Sequence, residues 1–240
     1  MLGKILMTIL AFGCLGAASG PPNLDEVLGK YDGIMGPDTF EAQMTMVAHR
    51  EDGTEKSYAM RSIKKGTEQF RIWFEKPASV AGQEMLRLGD NSWVYLPNLK
   101  RATRIANRDS FQGGDFNNAD VLRVNYKVDY SGEVKPGDGD TWLLELKAKN
   151  PNTSYDAVKL WVRRSDFQPV TGEYYGTSGK LLRSAAFSEY REFQKGYTRP
   201  SRVLMQNELI KARHSEMTIT EMKVGGEIAD SRFNLNDLGK

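Results

Sequence analysis

PASVAGQEMLRLGDNSWVYLPNLKRATRIANRDSFQGGDFNNADVL, residues 77–122, is the stretch whose reading decides the fold. Gln83 to Leu88 is an extended segment, and Gly89-Asp90-Asn91 carries the residues of a tight turn. Trp93 to Leu96 resumes as a strand, Pro97-Asn98 turns again, and Lys100 to Ile105 continues. Gly113-Gly114-Asp115-Phe116 supplies backbone freedom for a sharp change of direction. Asn117 or Asn118 is placed to cap a short helix through Ala119-Asp120-Val121-Leu122. Short strands reversed by tight turns make an antiparallel meander.

The flanks continue the pattern. Asn23 to Lys30 reads as a short helix with Leu24, Val27 and Leu28 on one side, broken by Gly33, Gly36 and Pro37. Phe40, Ala42, Met44, Met46 and Ala48 alternate with polar positions through Arg50, and Asp52-Gly53 signals a hairpin. Lys56 to Ile63 and Gln69 to Glu75 follow. Beyond the glycine corner, extended segments are expected at Tyr126–Val134, Thr141–Lys149, Val158–Arg163, Val170–Tyr175, Leu181–Tyr190, Ser201–Asn207 and Met217–Val224, with a short packing segment at Phe233–Leu238. The expected fold is mainly β: a curved antiparallel sheet or incomplete barrel of about eleven strands, with a few short capping helices.

Within this frame, GQEMLRLGDNSWVYLPNLKRATRI followed by SFQGGDFNNADVL closely resembles the outer-membrane lipoprotein-sorting family, the LolA/LolB-like proteins. Family members show a similar succession: proline and glycine before a "-LR" strand, a "W-YLP" strand, a basic "-R--RI" strand and a "GxDF--xD" corner. The resemblance implies a half-open β-barrel, capped by helices, that holds acyl chains in an apolar cavity. It also implies an inner-membrane transporter and an outer-membrane acceptor as partners, in a Gram-negative envelope. The cavity residues expected from the apolar faces are Phe40, Met44, Met46, Tyr58, Met60, Phe70, Ile72, Phe74, Met85, Trp93, Tyr95, Trp142, Leu144 and Leu160. Methionine is flexible and suits an adaptable site. Arg101, Arg104, Gly113, Gly114, Asp115 and Phe116 form the expected cap or gate, with the two arginines on opposite strand faces and Asp115 bonding nearby backbone amides.

Address and charge narrow the function classes. Lys4, an apolar run from Ile5 to Leu15 and the small residues Ala17-Ala18-Ser19 have the layout of a signal peptide. Residues 1–19 are therefore expected to be removed, and residues 20–240 to form one periplasmic lipid- or lipoprotein-binding domain. Cys14 offers the alternative of a lipid anchor, although Ala11 stands where a lipobox has leucine. A net charge of +2 on 240 residues argues against nucleic acid as a partner.

Catalysis finds little support. The two histidines, His49 and His214, sit on expected strands, and neither metal-site spacings, a nucleophile elbow nor a phosphate loop occurs. A hydrolase requires one of these histidines beside a serine in space. No cofactor or metal is expected. The expected function is a carrier that moves lipid or lipoprotein acyl chains towards the outer membrane; the alternative is a non-enzymatic accessory or interaction subunit of an envelope transporter or stress complex. Each buried methylene contributes about 0.8 kcal/mol, so a sixteen-carbon chain gains on the order of 12 kcal/mol. Two or three fully enclosed chains would exceed the ceiling of about 18–21 kcal/mol for non-covalent affinity, so a carrier that releases cannot enclose them that well. Intact-mass measurement of the exported protein should give a mature chain starting near Gly20; a diacylglyceryl adduct on Cys14 would contradict the expected cleavage.

Overall fold

The computed structural model describes residues 20–150 and 153–240; the expected leader, with Cys14, lies outside the described residues. Asn23 accepts the Asp25 N–H (2.9 Å) and opens α1 (Leu24–Met35). This helix runs past Lys30 and the first expected breaker, Gly33, to Met35. Gly33 points into open space, so it costs only about 1 kcal/mol of helix propensity, and Tyr31 buries one further ring. The helix stops at Gly36, whose N–H bonds Asp32 O (2.8 Å).

Six strands follow: β1 (Thr39–His49), β2 (Glu55–Lys65), β3 (Gln69–Lys76), β4 (Glu84–Leu88), β5 (Asn91–Leu96) and β6 (Arg101–Ile105). A 3-10 turn at Phe111–Gly113 leads into α2 (Asn118–Leu122) and α3 (Tyr126–Asp129). Seven more strands complete the chain: β7 (Tyr130–Pro136), β8 (Thr141–Ala148), β9 (Ala157–Arg163), β10 (Pro169–Tyr175), β11 (Leu181–Gln194), β12 (Tyr197–Asn207) and β13 (His214–Val224). The sheet has thirteen strands, not about eleven, because each short segment read along the chain is a strand of its own.

Within each half, every strand pairs antiparallel with its neighbour in sequence, and β1 pairs with β13 to join the halves. β6 and β7 are left as the two edges, so the sheet is not closed. The chain between those edges carries α2 and α3. The expected strand at Tyr126–Val134 therefore begins only at Tyr130. The Asp32 carboxylate accepts the N–H groups of Tyr126 (2.8 Å) and Lys127 (3.0 Å), which satisfies the open donors of a helical turn instead. β11 and β12 run further than expected, to a tight hairpin around Lys195-Gly196. Pro200 fits inside β12 because the ladder to β13 begins only at Arg202.

The alternation read from β1 is what the sheet uses. Phe40, Ala42, Met44, Met46 and Ala48 are all buried, with half-buried or exposed residues between them. The concave face carries the main core, which includes Met60, Ile72, Phe74, Leu144, Leu160 and Met205. A second, smaller core lies on the convex face, where the C-terminal segment packs Ile228, Phe233 and Leu238 against Ile63 and Leu86. Phe74 sits on the concave face and Trp73 on the convex one.

A buried ion pair fixes the C-terminal segment. The Arg71 Nε donates to Glu84 Oε2 (2.8 Å), and the side chains are 6% and 5% exposed. Arg71 also donates to Arg232 O (2.8 Å) and Asp237 O (3.0 Å), while Glu84 Oε1 accepts the Gly239 N–H (3.0 Å). Removing one partner strands a buried charge, so Glu84→Ala should cost roughly 3–5 kcal/mol in urea unfolding and expose residues 225–240 to limited proteolysis. A loss below about 1 kcal/mol, the range of a surface pair, would contradict this.

Candidate functional site

Between the concave face and the helices lies a cavity of about 130 Å³. Strand residues form its floor: Phe40 and Met44 of β1, Phe70 of β3, Phe187 of β11, Val203 and Met205 of β12, and Met217 and Ile219 of β13. The roof is Tyr31 and Met35 of α1, Phe116, Ala119 to Val121 of α2, Val124 and Tyr126. Tyr130, Tyr155 and Tyr174 line it as well, so five tyrosines face one space. Tyr31 and Tyr126 meet edge to face at 4.8 Å, and Tyr155 and Tyr174 lie 4.7 Å apart. Burial holds all five phenols above their usual range, so they remain neutral donors.

Charged groups also reach this wall. Asp120 accepts the Tyr155 hydroxyl (2.8 Å) and the Asn117 N–H (2.7 Å) on one oxygen, and burial pushes its carboxyl up to about 6. Lys64 donates to Gly36 O and Pro37 O (2.8 Å each), and burial lowers its ammonium to about 8. Arg199 donates to Met35 O (2.7 Å) and Pro200 O (3.2 Å), and Tyr197 donates its hydroxyl to Ile34 O (2.6 Å). Three β-sheet side chains thus hold the last carbonyls of α1, which have no partner within the helix. Arg123 is engaged elsewhere, forked onto Asp129 and reaching Asp90.

Of the expected cavity residues, Phe40, Met44 and Phe70 line the space. Met46, Tyr58, Met60, Ile72, Phe74, Met85, Leu144 and Leu160 belong to the same core but pack away from the void, with Trp142 half-buried against them. Trp93 and Tyr95 are on the convex side, Tyr95 in the second core and Trp93 directly opposite Leu86. The reason is parity. A two-residue turn at Gly89-Asp90 pairs Leu88 with Asn91, which sets Met85 opposite Val94, so Val94 and not Trp93 shares its face.

Register also places the arginines. Arg104 stands opposite Trp93 and Arg101 opposite Leu96, so they do point to opposite faces, and both are exposed. The glycine corner is tied down rather than free. Asp115, 1% exposed, accepts Asn207 Nδ2 and Ser215 Oγ (2.9 Å each), so its partners are side chains of β12 and β13 and not nearby amides. Arg183 donates to Asp115 O (3.0 Å) and Arg213 to Gly113 O (3.1 Å). Gly113 takes φ +75°, open to glycine, and a Cβ on Gly114 would meet Ser215 Oγ at 3.1 Å. Phe116 lines the cavity. The tyrosines, Asp120, Lys64 and Arg199 were not foreseen. Lys64 alone had a signal, for it continues the buried parity of Tyr58, Met60 and Ser62.

The two histidine rings stack at 4.1 Å on the rim of β1 and β13, with Glu55 3.0 Å from His49 Nδ1. Among the described residues, neither ring is hydrogen-bonded to a serine, and no helix is long and apolar enough to cross a membrane.

A family model described as "Uncharacterized protein", of the "-like" kind, matches residues 66–240, most of the chain. No curated protein matches. Among solved structures, a LolA superfamily protein from Nitrosomonas europaea is 28% identical, with 87% of this chain and 96% of the other aligned and a TM-score of 0.79. An outer membrane lipoprotein-sorting protein domain from Vibrio parahaemolyticus is 21% identical over 90% and 98%, and a DUF1329 family protein from Desulfovibrio piger 20% over 89% and 97%. Both of these also have a TM-score of 0.79, which shows the shared fold.

The buried carboxyl makes a signed prediction. A folded-state value raised to about 6 from the usual 3.8 means that Asp120 favours folding most when protonated. That contribution is full below about pH 4 and is lost as pH rises through 6. Asp120→Asn mimics the protonated group, so its melting temperature relative to the parent should be higher at pH 7.5 than at pH 5. The comparison cancels the opposite slope from exposed carboxylates such as Asp230, held low by Lys65. A relative stability independent of pH would contradict the assignment.

Proposed function

Because the chain belongs to the outer-membrane lipoprotein-sorting family, the LolA/LolB-like proteins, we propose that it is a periplasmic carrier of lipid or of the acyl chains of lipoproteins. The supporting observation is the cavity between an apolar concave face and a helical roof. Four phenylalanine or methionine side chains of β1, β3 and β13, namely Phe40, Met44, Phe70 and Met217, give it a surface that flexible chains can wet without a fixed geometry. In this reading the mature chain acts as one binding domain, handing its cargo to an acceptor nearer the outer membrane.

Size sets the mechanism. A space of about 130 Å³ is on the scale of the roughly 150 Å³ engineered cavity that admits benzene. A whole acyl chain therefore enters only as the roof lifts. Since the glycine corner is fixed to β12 and β13, the moving part is α1 with the α2–α3 segment. The bonds from Lys64, Arg199 and Tyr197 to residues 34–37 hold α1 down, and they end on backbone carbonyls that water can replace. The gain from burying a chain is offset by breaking these contacts, which keeps binding reversible.

Native mass spectrometry of protein purified from the periplasm, with lipid extraction, tests the reading. It predicts a co-purifying acylated species, and a Met44→Trp variant that fills the floor should lose at least about tenfold in affinity for it. Overpacking costs about 1–3 kcal/mol, so the variant's fold is checked by circular dichroism. A clean apo mass that persists after incubation with phospholipid and a triacylated peptide would contradict the carrier and favour an interaction subunit.

A further inference from the structure

The cavity wall has an imbalance that acyl chains alone do not use. Lys64 and Arg199 both line it and are 3% and 5% exposed. Arg71 faces Glu84, and Arg123 faces Asp129 and Asp90; Arg87, also buried, ends on the Thr67 and Leu122 carbonyls but does not line the cavity. Among the described residues, neither Lys64 nor Arg199 forms an ion pair, and each ends on main-chain carbonyls. Apart from Pro200 O, which Arg199 Nε also reaches, those carbonyls belong to residues 35–37 at the end of α1, so the two cations converge on one place.

A helix C-terminus carries about half a negative charge, too little for two cations. The nearby carboxylates do not make up the difference. Asp38 is exposed, and Asp32 is committed to the N–H groups of Tyr126 and Lys127. Asp120, the carboxylate on the wall itself, is held by Tyr155 and Asn117. Donors remain as well. An ammonium has three N–H groups, of which Lys64 uses two, and a guanidinium has five, of which Arg199 places two on carbonyls and one towards Met35 Sδ (4.0 Å). Spare donors from two buried cations suit the oxygens of a carboxylate or phosphate.

We propose that the cavity selects a single-chain amphiphile with an anionic carboxylate or phosphate head, received by Lys64 and Arg199 at the C-terminus of α1. This rests on the carrier reading and names its cargo class. One chain, rather than two or three, follows from the size of the space. Because the head is received where α1 is fastened, it first meets the spare donors and then draws the same two cations away from the Met35, Gly36 and Pro37 carbonyls. Binding and release of the roof are then a single exchange of hydrogen bonds.

The test titrates lipid-stripped protein at pH 7 with dodecanoate, dodecyl phosphate, dodecanol, acetate and inorganic phosphate, followed by native mass spectrometry. Dodecanoate and dodecyl phosphate should bind at least about tenfold tighter than dodecanol, and acetate and phosphate should not bind detectably. In Lys64→Met and Arg199→Met that ratio should fall towards one, while Lys64→Arg should keep it. If either variant fails to fold, the ratio in the unaltered protein still decides. Equal binding of dodecanoate and dodecanol overturns the anionic head and leaves the carrier standing. Tight binding of acetate or phosphate alone overturns the amphiphile. Failure of all three chain ligands overturns the carrier reading too.

Discussion

An antiparallel sheet that does not close on itself has two free edges and an apolar concave face with no second sheet to cover it. Here the edges are β6 and β7, and the residues between them must bridge the seam and roof the core together. Edges and apolar faces left bare invite association with other chains. The chain's answer is to lay α1, α2 and α3 over the concavity. That choice brings helix ends into the interior, and helix ends carry backbone groups that need partners.

The polar content of the cavity follows from this. The end of α1 lies over the sheet, so Lys64 and Arg199 reach up to its carbonyls from β2 and β12. The start of α3 lies against α1, so Asp32 turns inward to its N–H groups. Asp120 does the same for Asn117 at the start of α2. Charges are thus buried for reasons of backbone chemistry and become the features a ligand meets. On the convex face the C-terminal segment covers the smaller core, and the Arg71–Glu84 pair fastens it there. The two faces are therefore unequal: one is sealed by the chain's own end, the other by short helices held mostly by hydrogen bonds.

Alternation carried most of the fold in the sequence, since Phe40 to Ala48 and the runs after it have period two and tight turns between them. Helix limits were less legible. α1 passes Gly33 because Tyr31 gains burial in three dimensions, and Tyr126 joins a helix because Asp32, 94 positions away, offers an acceptor. The site was half legible. Phe40, Met44 and Phe70 were readable as apolar positions on one face, whereas Trp93 and Tyr95 were misplaced by a register that the Gly89-Asp90 turn defines. The tyrosines and Asp120 come together from α1, α2, α3, β7, β10 and the loop before β9, and no spacing in a sequence marks such a meeting. The glycine corner looked like a hinge locally, yet Asn207 and Ser215 fasten it from far along the chain.

The central claim is that acyl chains enter beneath the helical roof and lie on the concave face. A fatty acid carrying a photoactivatable diazirine near its chain end tests it most directly, with the labelled residues mapped by peptide mass spectrometry. The account predicts labels on Met44, Phe70, Met205, Met217 and their neighbours on β1, β3, β12 and β13. Labels confined to the convex side, at Trp93, Tyr95 or the C-terminal segment, would contradict it.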